Sequence, residues 1–207
     1  MNISFDKIYV ISYVRNVQKQ QKIKEYLNNI WNIDFEFIYG FDANELINIF
    51  NLNNIHFIYD NNNELSYNIG HISCAVAHYT AIQHAYVNKY NSCLIIEDDT
   101  LFTDDLNYIE YCFNNMPDDA DGCRFALTWR NMNNIDNYNS FWIIDECYCG
   151  AQCYSINNRE TMLHYINNMH IKFREADNNS LLEGKKNISI KNINWQRSCI
   201  LFTDKII

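Results

Sequence analysis

Residues 92–100 read Ser-Cys-Leu-Ile-Ile-Glu-Asp-Asp-Thr, an apolar run that ends directly in three adjacent carboxylates, Glu97, Asp98 and Asp99. Neighbouring acids repel one another, so holding three at the end of a strand is costly unless a cation compensates. Carboxylate oxygens suit Mg²⁺ or Mn²⁺, which bind through one or two carboxylates and fill the rest of their shell with water and substrate phosphates. The chemistry on offer is therefore metal-assisted handling of a phosphorylated substrate. Taken alone, the same three residues also describe a solvated acidic turn.

The whole chain sets limits on that chemistry. It has 207 residues, enough for one domain, and 48% of them are hydrophobic, enough for a real core. Lys plus Arg number 16 against 25 Asp plus Glu, a formal charge of −9. An acidic surface without a basic stripe argues against a nucleic-acid partner, and against a nuclease built on the same carboxylates. A diphosphate ligand is still accessible if a divalent cation bridges it to the acids. The 33 Asn and 29 Ile read as coding bias, and the Asn runs as polar loops. No basic leader with an apolar core opens the chain, and no window approaches the ~20 apolar residues of a membrane span. The expectation is a cytoplasmic protein whose eight cysteines are reduced thiols.

The elements that must carry the acids follow from periodicity. Residues 7–12 (Lys-Ile-Tyr-Val-Ile-Ser) predict a buried strand, 16–32 an amphipathic helix and 35–39 a second strand, the opening of a βαβ unit. A short helix is expected near 45–50. Residues 70–90 predict a long helix with small side chains at 73, 75, 77, 81 and 85, able to lie close to a sheet. Strands follow at 93–96, 123–129, 141–144 and 147–156, with helices ending near 115 and spanning 159–169. The prediction is a single α/β domain over residues 1–207, a Rossmann-like mixed sheet flanked by helices. In such open sheets ligands bind at the carboxyl edge, where the acids fall.

Several segments, taken in order, resemble glycosyltransferase family 25, the lipooligosaccharide galactosyltransferase and collagen hydroxylysine galactosyltransferase type. Gly70-His71-Ile72-Ser73-Cys74-Ala75-Val76-Ala77-His78 followed by Leu94–Asp99 is similar to the family's GEIGCALSH, spacer, LILEDD pattern. Ile8–Arg15 resembles its opening YVINLxR, Tyr39–Ala43 its AxDG segment, and Gly150–Ile156 its GxxxYxIS strand. Ala176-Asp177 falls where the family has a Val-Asp or Ile-Asp pair, and Trp195–Ser198 near a final Gln…Ser element. The departures are His71 for Glu, Ser73 for Gly, Ala77 for Ser, and Ser12-Tyr13 for Asn-Leu.

The resemblance implies a GT-A-like fold and an inverting transfer of a hexose, galactose or glucose, from a UDP-sugar to an acceptor hydroxyl on a glycan or protein. It implies Mn²⁺ (or Mg²⁺) on Asp99 and Glu97. Ile11, Arg15, Asp42, His78, Glu97 and Asp98 would bind the nucleotide-sugar, with His78 equally a core or site-shaping residue. Asp177 is the first candidate for the catalytic base that takes the acceptor proton; a helix-capping acid is the other reading of it.

Other readings compete. A non-catalytic nucleotide-sugar or glycan-binding relative would fit the substitutions at 71, 73 and 77, while the intact acid triplet favours an enzyme. His71, Cys74 and His78 share a helix face, but zinc would lack a fourth ligand. Cys147, Cys149 and Cys153 lack a CxxC pair and read as buried thiols.

Overall fold

The computed structural model describes residues 5–42, 44–45, 65–102, 106–116, 120–125, 142–144, 152–171, 187–190 and 201–202. β1 (Lys7–Tyr13) leads into α1 (Val17–Glu25), and the chain reaches β2 (Glu36–Gly40). α2 (Leu65–Val87) precedes β3 (Cys93–Glu97) and the short β4 (Leu101–Phe102). Then come α3 (Leu106–Asn114), β5 (Gly122–Arg124), β6 (Trp142–Ile144), β7 (Cys153–Ile156), α4 (Arg159–Ile171), β8 (Asn187–Ile190) and β9 (Leu201–Phe202).

Seven strands form one mixed sheet in the order β2-β1-β3-β7-β5-β8-β6, and β4 pairs with β9. β1 runs parallel to both β2 and β3, while β7 runs antiparallel to β3 and β5. The chain leaves β1 for β2 on one side and returns through α2 to β3 on the other. That reversal of direction makes the carboxyl ends of β1 and β3 a topological switch point.

Both faces of the central strands are covered, which is why they read as continuous apolar runs rather than alternating ones. Ile8, Val10, Leu94 and Ile96 pack on one face with Ile23, Leu27 and Trp31 of the α1 segment and Cys112 and Phe113 of α3. Tyr9, Ile11, Cys93 and Ile95 pack on the other with Ala75, Ala77, Ala81, Ile82 and Ala85 of α2 and Met162 and Tyr165 of α4. The expected small-residue face of α2 is thus the face that meets the sheet.

The structure moves some boundaries. The first helix continues past Glu25 as a π-helical turn, Tyr26–Trp31, closed by Asn32 in the left-handed region at φ 52°. Asn tolerates that conformation, and its N–H returns to the Leu27 carbonyl. α2 begins at Leu65 and stops at Val87, because Lys89 takes a positive φ of 63° and Tyr90 N–H folds back onto the Ala85 carbonyl. β4, β8 and β9 had no expected counterpart. Asn44 and Glu45 are helical, while the rest of the 45–50 segment, 126–129, 147–151 and Trp195–Ser198 lie outside the described residues. The described cysteines 74, 93, 112, 123 and 153 are reduced thiols. Burial pushes Cys93 and Cys123 up to about 12, so they stay protonated and unreactive.

Ala81 is fully buried between α2 and the sheet. Ala81→Leu adds three carbons where none fit and is expected to cost about 1–3 kcal/mol. Urea unfolding should show a lower midpoint with unchanged slope. An unchanged midpoint would mean that α2 does not lie as close to the sheet as described.

Candidate active site

The pairing of β1 with β3 sets the geometry. Ile11 stands opposite Glu97, so the residues just beyond, Ser12 and Asp98, come level at the carboxyl edge. Strand alternation then sorts the acids. Glu97 follows Cys93 and Ile95 to the α2 face, and Asp98 follows Leu94 and Ile96 to the α1 face. The turn is pinned by the backbone: Glu97 N–H reaches the Gln152 carbonyl at 2.7 Å, Asp98 N–H the Ile11 carbonyl at 2.9 Å, and Thr100 Oγ1 the Gln152 carbonyl at 2.8 Å.

Asp98 is deeply set and well supplied with donors. Ser12 Oγ donates to its Oδ2 at 2.6 Å and Asn16 Nδ2 at 3.3 Å, while Lys19 Nζ lies 3.9 Å from Oδ1. A hydrogen bond to a charged group contributes about 1.5–3 kcal/mol, against ~0–1 kcal/mol for an exposed ion pair. Lys19 is half exposed, so Ser12 is the principal support of Asp98. Glu97 accepts from His78 Nε2 at 3.1 Å and faces Cys74 Sγ at 3.7 Å, both on Oε1. Asp99 has Lys19 Nζ at 3.4 Å and is 40% exposed. Burial pushes its carboxyl above the ordinary range, helped by Glu97 and Asp98 and opposed by Lys19. Among the described residues, these three acids have one flexible ammonium between them, which leaves charge uncompensated.

These groups face a cavity of about 340 Å³ at the switch point, a volume within the range of small-molecule sites. Its walls are Ile11, Ser12 and Tyr13 from β1, Asn16 and Lys19 from the start of α1, Gly40 to Asp42 from the end of β2, Ser73, Cys74 and Ala77 from α2, and the three acids. Ser73 Oγ donates to the Phe41 carbonyl, which ties the end of β2 to α2. Asp42 accepts from Tyr13 Oη at 2.6 Å and from Asn44 N–H at 2.9 Å, with Arg15 3.8 Å away. The Tyr13 hydrogen bond, followed by the Asn44 N–H, holds the Asp42 carboxyl below its ordinary range.

Of the residues singled out from sequence, Ile11, Asp42, Glu97, Asp98 and Asp99 line this one cavity. Arg15 is exposed beside it, on Asp42 and over the Tyr13 ring. His78 is fully buried behind Glu97. Asp177 lies outside the described residues. Ser12, Asn16, Lys19 and Tyr154 were not anticipated as site residues. Lys19 is one of several Lys and Gln in its helix, and nothing in the sequence separates it from its neighbours. Ser12 could have been found by pairing β1 with β3 in register, since only that alignment sets it against Asp98.

A family model for glycosyltransferase family 25 (LPS biosynthesis protein) matches residues 5–139, more than half of the chain. The chain belongs to glycosyltransferase family 25. It is accordingly a glycosyltransferase, an enzyme with a sugar donor and an acceptor. The matched residues include every wall of the cavity and stop short of Asp177. No curated protein matched the chain. Among the described residues no helix is long and apolar enough to cross a membrane. The family departures find local uses here. Ser73 holds the Phe41 carbonyl, Ser12 holds Asp98 and Tyr13 holds Asp42.

Because the folded pKa of Asp42 is lowered, its ionised form stabilises the fold above the ordinary carboxylate pKa. That contribution is lost as pH falls through the folded value. Tyr13→Phe removes the main cause, so the Asp42 pKa should rise toward the ordinary range and the acid limb of stability should flatten. A carboxyl-carbon NMR titration checks this; an unmoved Asp42 would place its support elsewhere.

Proposed function

We propose that this family 25 enzyme transfers a hexose, galactose or glucose, from a UDP-sugar to an acceptor hydroxyl on a glycan or protein, with a divalent cation and inversion at the sugar carbon. The observation that carries this reading is the uncompensated acid triplet at the switch-point cavity. Asp99 is the acid least served by protein donors, and Glu97 has both its hydrogen bonds on Oε1, leaving Oε2 without a protein donor among the described residues. An all-oxygen pair of this kind fits Mn²⁺ or Mg²⁺. When bound, the ion would offset negative charge growing on the departing diphosphate.

The chain's own residues have distinct tasks in this scheme. Asp98, fixed by Ser12 and Asn16, offers Oδ1 to the donor from a rigid position. Lys19 carries its ammonium on a long stem and is half exposed, so it can leave the acids for a donor phosphate once they are neutralised. Asp42, kept ionised by Tyr13, accepts hydrogen bonds from the nucleoside, and Arg15 beside it reaches the outer phosphate or the base. Ile11 lines the cavity, and His78 supports the wall through Glu97. Inversion requires a carboxylate to take the acceptor proton as the bond forms, and Asp177 is the candidate.

Thermal shift with UDP-galactose and UDP-glucose, with and without Mn²⁺, tests the donor site. Stabilisation by a UDP-sugar that requires the metal is expected; no stabilisation by any nucleotide with metal would overturn the reading. Asp99→Asn should raise the melting temperature of the metal-free protein, since an acid with a raised pKa destabilises the fold when ionised. The same variant should lose the metal-dependent stabilisation. Unchanged UDP binding in Mn²⁺ would show that the ion sits on other residues.

Asp177→Asn should keep donor binding and lose transfer by at least about 100-fold, the scale of general-base catalysis. Product analysis by NMR in the same assay reports inversion or retention. Turnover near the parent's rate would assign the base to another residue.

A further inference from the structure

Glu97 faces the cavity, yet its carboxylate is also tied inward by a chain of two buried side chains. His78 Nε2 lies 3.1 Å from Glu97 Oε1, and His78 Nδ1 lies 2.9 Å from Tyr154 Oη. His78 is 0% exposed and Tyr154 2% exposed, their rings stacked with centroids 5.6 Å apart at 20°. Neither lines the cavity. They come together because Tyr154 on β7 pairs with Ile95 on β3, and Glu97 is two residues further along the same face.

The proton order along this chain follows from what each group can do. An ionised carboxylate only accepts, so His78 Nε2 must carry a hydrogen. A neutral imidazole has one N–H, which leaves Nδ1 as an acceptor, and the Tyr154 hydroxyl must donate to it. Burial holds the Tyr154 phenol well above its ordinary range, so its proton stays in place.

We propose that Tyr154 and His78 are positioning residues of the transfer site. Tyr154 donates to His78 Nδ1 and thereby fixes the Nε2–H tautomer, which occupies one oxygen of Glu97 and leaves Oε2 as the oxygen that meets the donor or its cation. The inference rests on the reading of Glu97 as a donor-site acid. It extends that reading to a buried tyrosine that touches no substrate. Buried partners of this kind hold ligating groups in orientation, and their loss weakens metal affinity or activity about 10–100-fold.

The test is ¹⁵N spectroscopy of histidine-labelled enzyme, with the His78 signals assigned by their absence in His78→Gln, alongside kinetics. In the parent, His78 should show a protonated Nε2 and a bare Nδ1. Tyr154→Phe removes one hydroxyl and is expected to give a mixed tautomer. It should also raise the Mn²⁺ concentration for half-maximal activity, or lower kcat, about 10-fold, with little change in acceptor KM. A bare Nε2 or a doubly protonated ring in the parent overturns the proposal, whether or not the variant folds. So does a Tyr154→Phe enzyme with unchanged tautomer and kinetics.

Cys74, His78 and Glu97 each place one potential ligand atom within 4.8 Å of the others. Stoichiometric zinc that is lost in Cys74→Ser would therefore overturn the hydrogen-bond chain in favour of a metal. Glu97→Gln separates the two levels, because its carboxamide oxygen still accepts from Nε2–H while the charge is gone. If Glu97→Gln leaves activity and metal dependence intact, the donor-site reading of Glu97 fails, and the positioning role fails with it. If Glu97→Gln is inactive while Tyr154→Phe is indistinguishable from the parent, only the positioning role fails.

Discussion

The parallel pairing of β1 with β3 is the constraint on which the rest of the site depends. With Ile11 opposite Glu97, Ser12 arrives level with Asp98, and the loop after β1 brings Asn16 and Lys19 to the same place. A slip of one residue would send Glu97 toward the α1 face and Asp98 toward the α2 face. Asp98 would lose Ser12 and Glu97 would lose His78. Core packing opposes that slip, since it would also exchange Leu94 and Ile96 with Cys93 and Ile95 between two cores built around side chains of different volume. The same apolar side chains that stabilise the sheet therefore set the address of each carboxylate.

Much of this was legible in the residues. The β-branched runs at 8–11 and 94–96, the helical periodicity of 17–31 and the small side chains of 73–85 each carry a local signal that agrees with its tertiary surroundings. The acid triplet was legible as chemistry because three adjacent carboxylates after an apolar strand have an electrostatic cost that demands a partner. β8 and β9 were not legible, since a four-residue and a two-residue strand bury too little alone to leave a periodic trace. The π-helical turn before Asn32 was hidden for a related reason: its one-residue change in spacing is small against the 3.6-residue period of the preceding helix.

The candidate site divides along the same line. Residues whose role follows from their own type, Glu97, Asp98 and Asp99, stood out in the sequence, while Asp42 entered through the family pattern alone. Residues whose role comes from what faces them did not. Ser12, Asn16 and Lys19 acquire a function only because strand register and the turn into α1 place them beside Asp98 and Asp99. Tyr154 is the extreme case. The family pattern marks it as a strand tyrosine without a task, and its hydroxyl has meaning only across a gap of 76 positions to His78. His78 likewise was recognisable by family position, but its place behind the cavity wall required the helix and the sheet together.

The three acids differ in how far the fold has already compensated them, and this difference orders what a ligand can do. Asp98 receives two side-chain donors from the β1–α1 junction, and Glu97 meets the buried histidine and Cys74 on one oxygen, so both carboxylates are held in orientation by the fold itself. Among the described residues Asp99 has only a half-exposed lysine, and its carboxyl is held above the ordinary range by burial and by its neighbours. Neutralising it therefore returns free energy to the folded state. A cation or donor that binds the folded chain alone stabilises it in proportion to RT ln(1 + [L]/Kd), and relief of the Asp99 repulsion adds to the affinity that sets Kd. On the proposed reading, two fixed carboxylates supply geometry and one undercompensated carboxylate supplies the attraction, which keeps the largest electrostatic gain for the moment of binding.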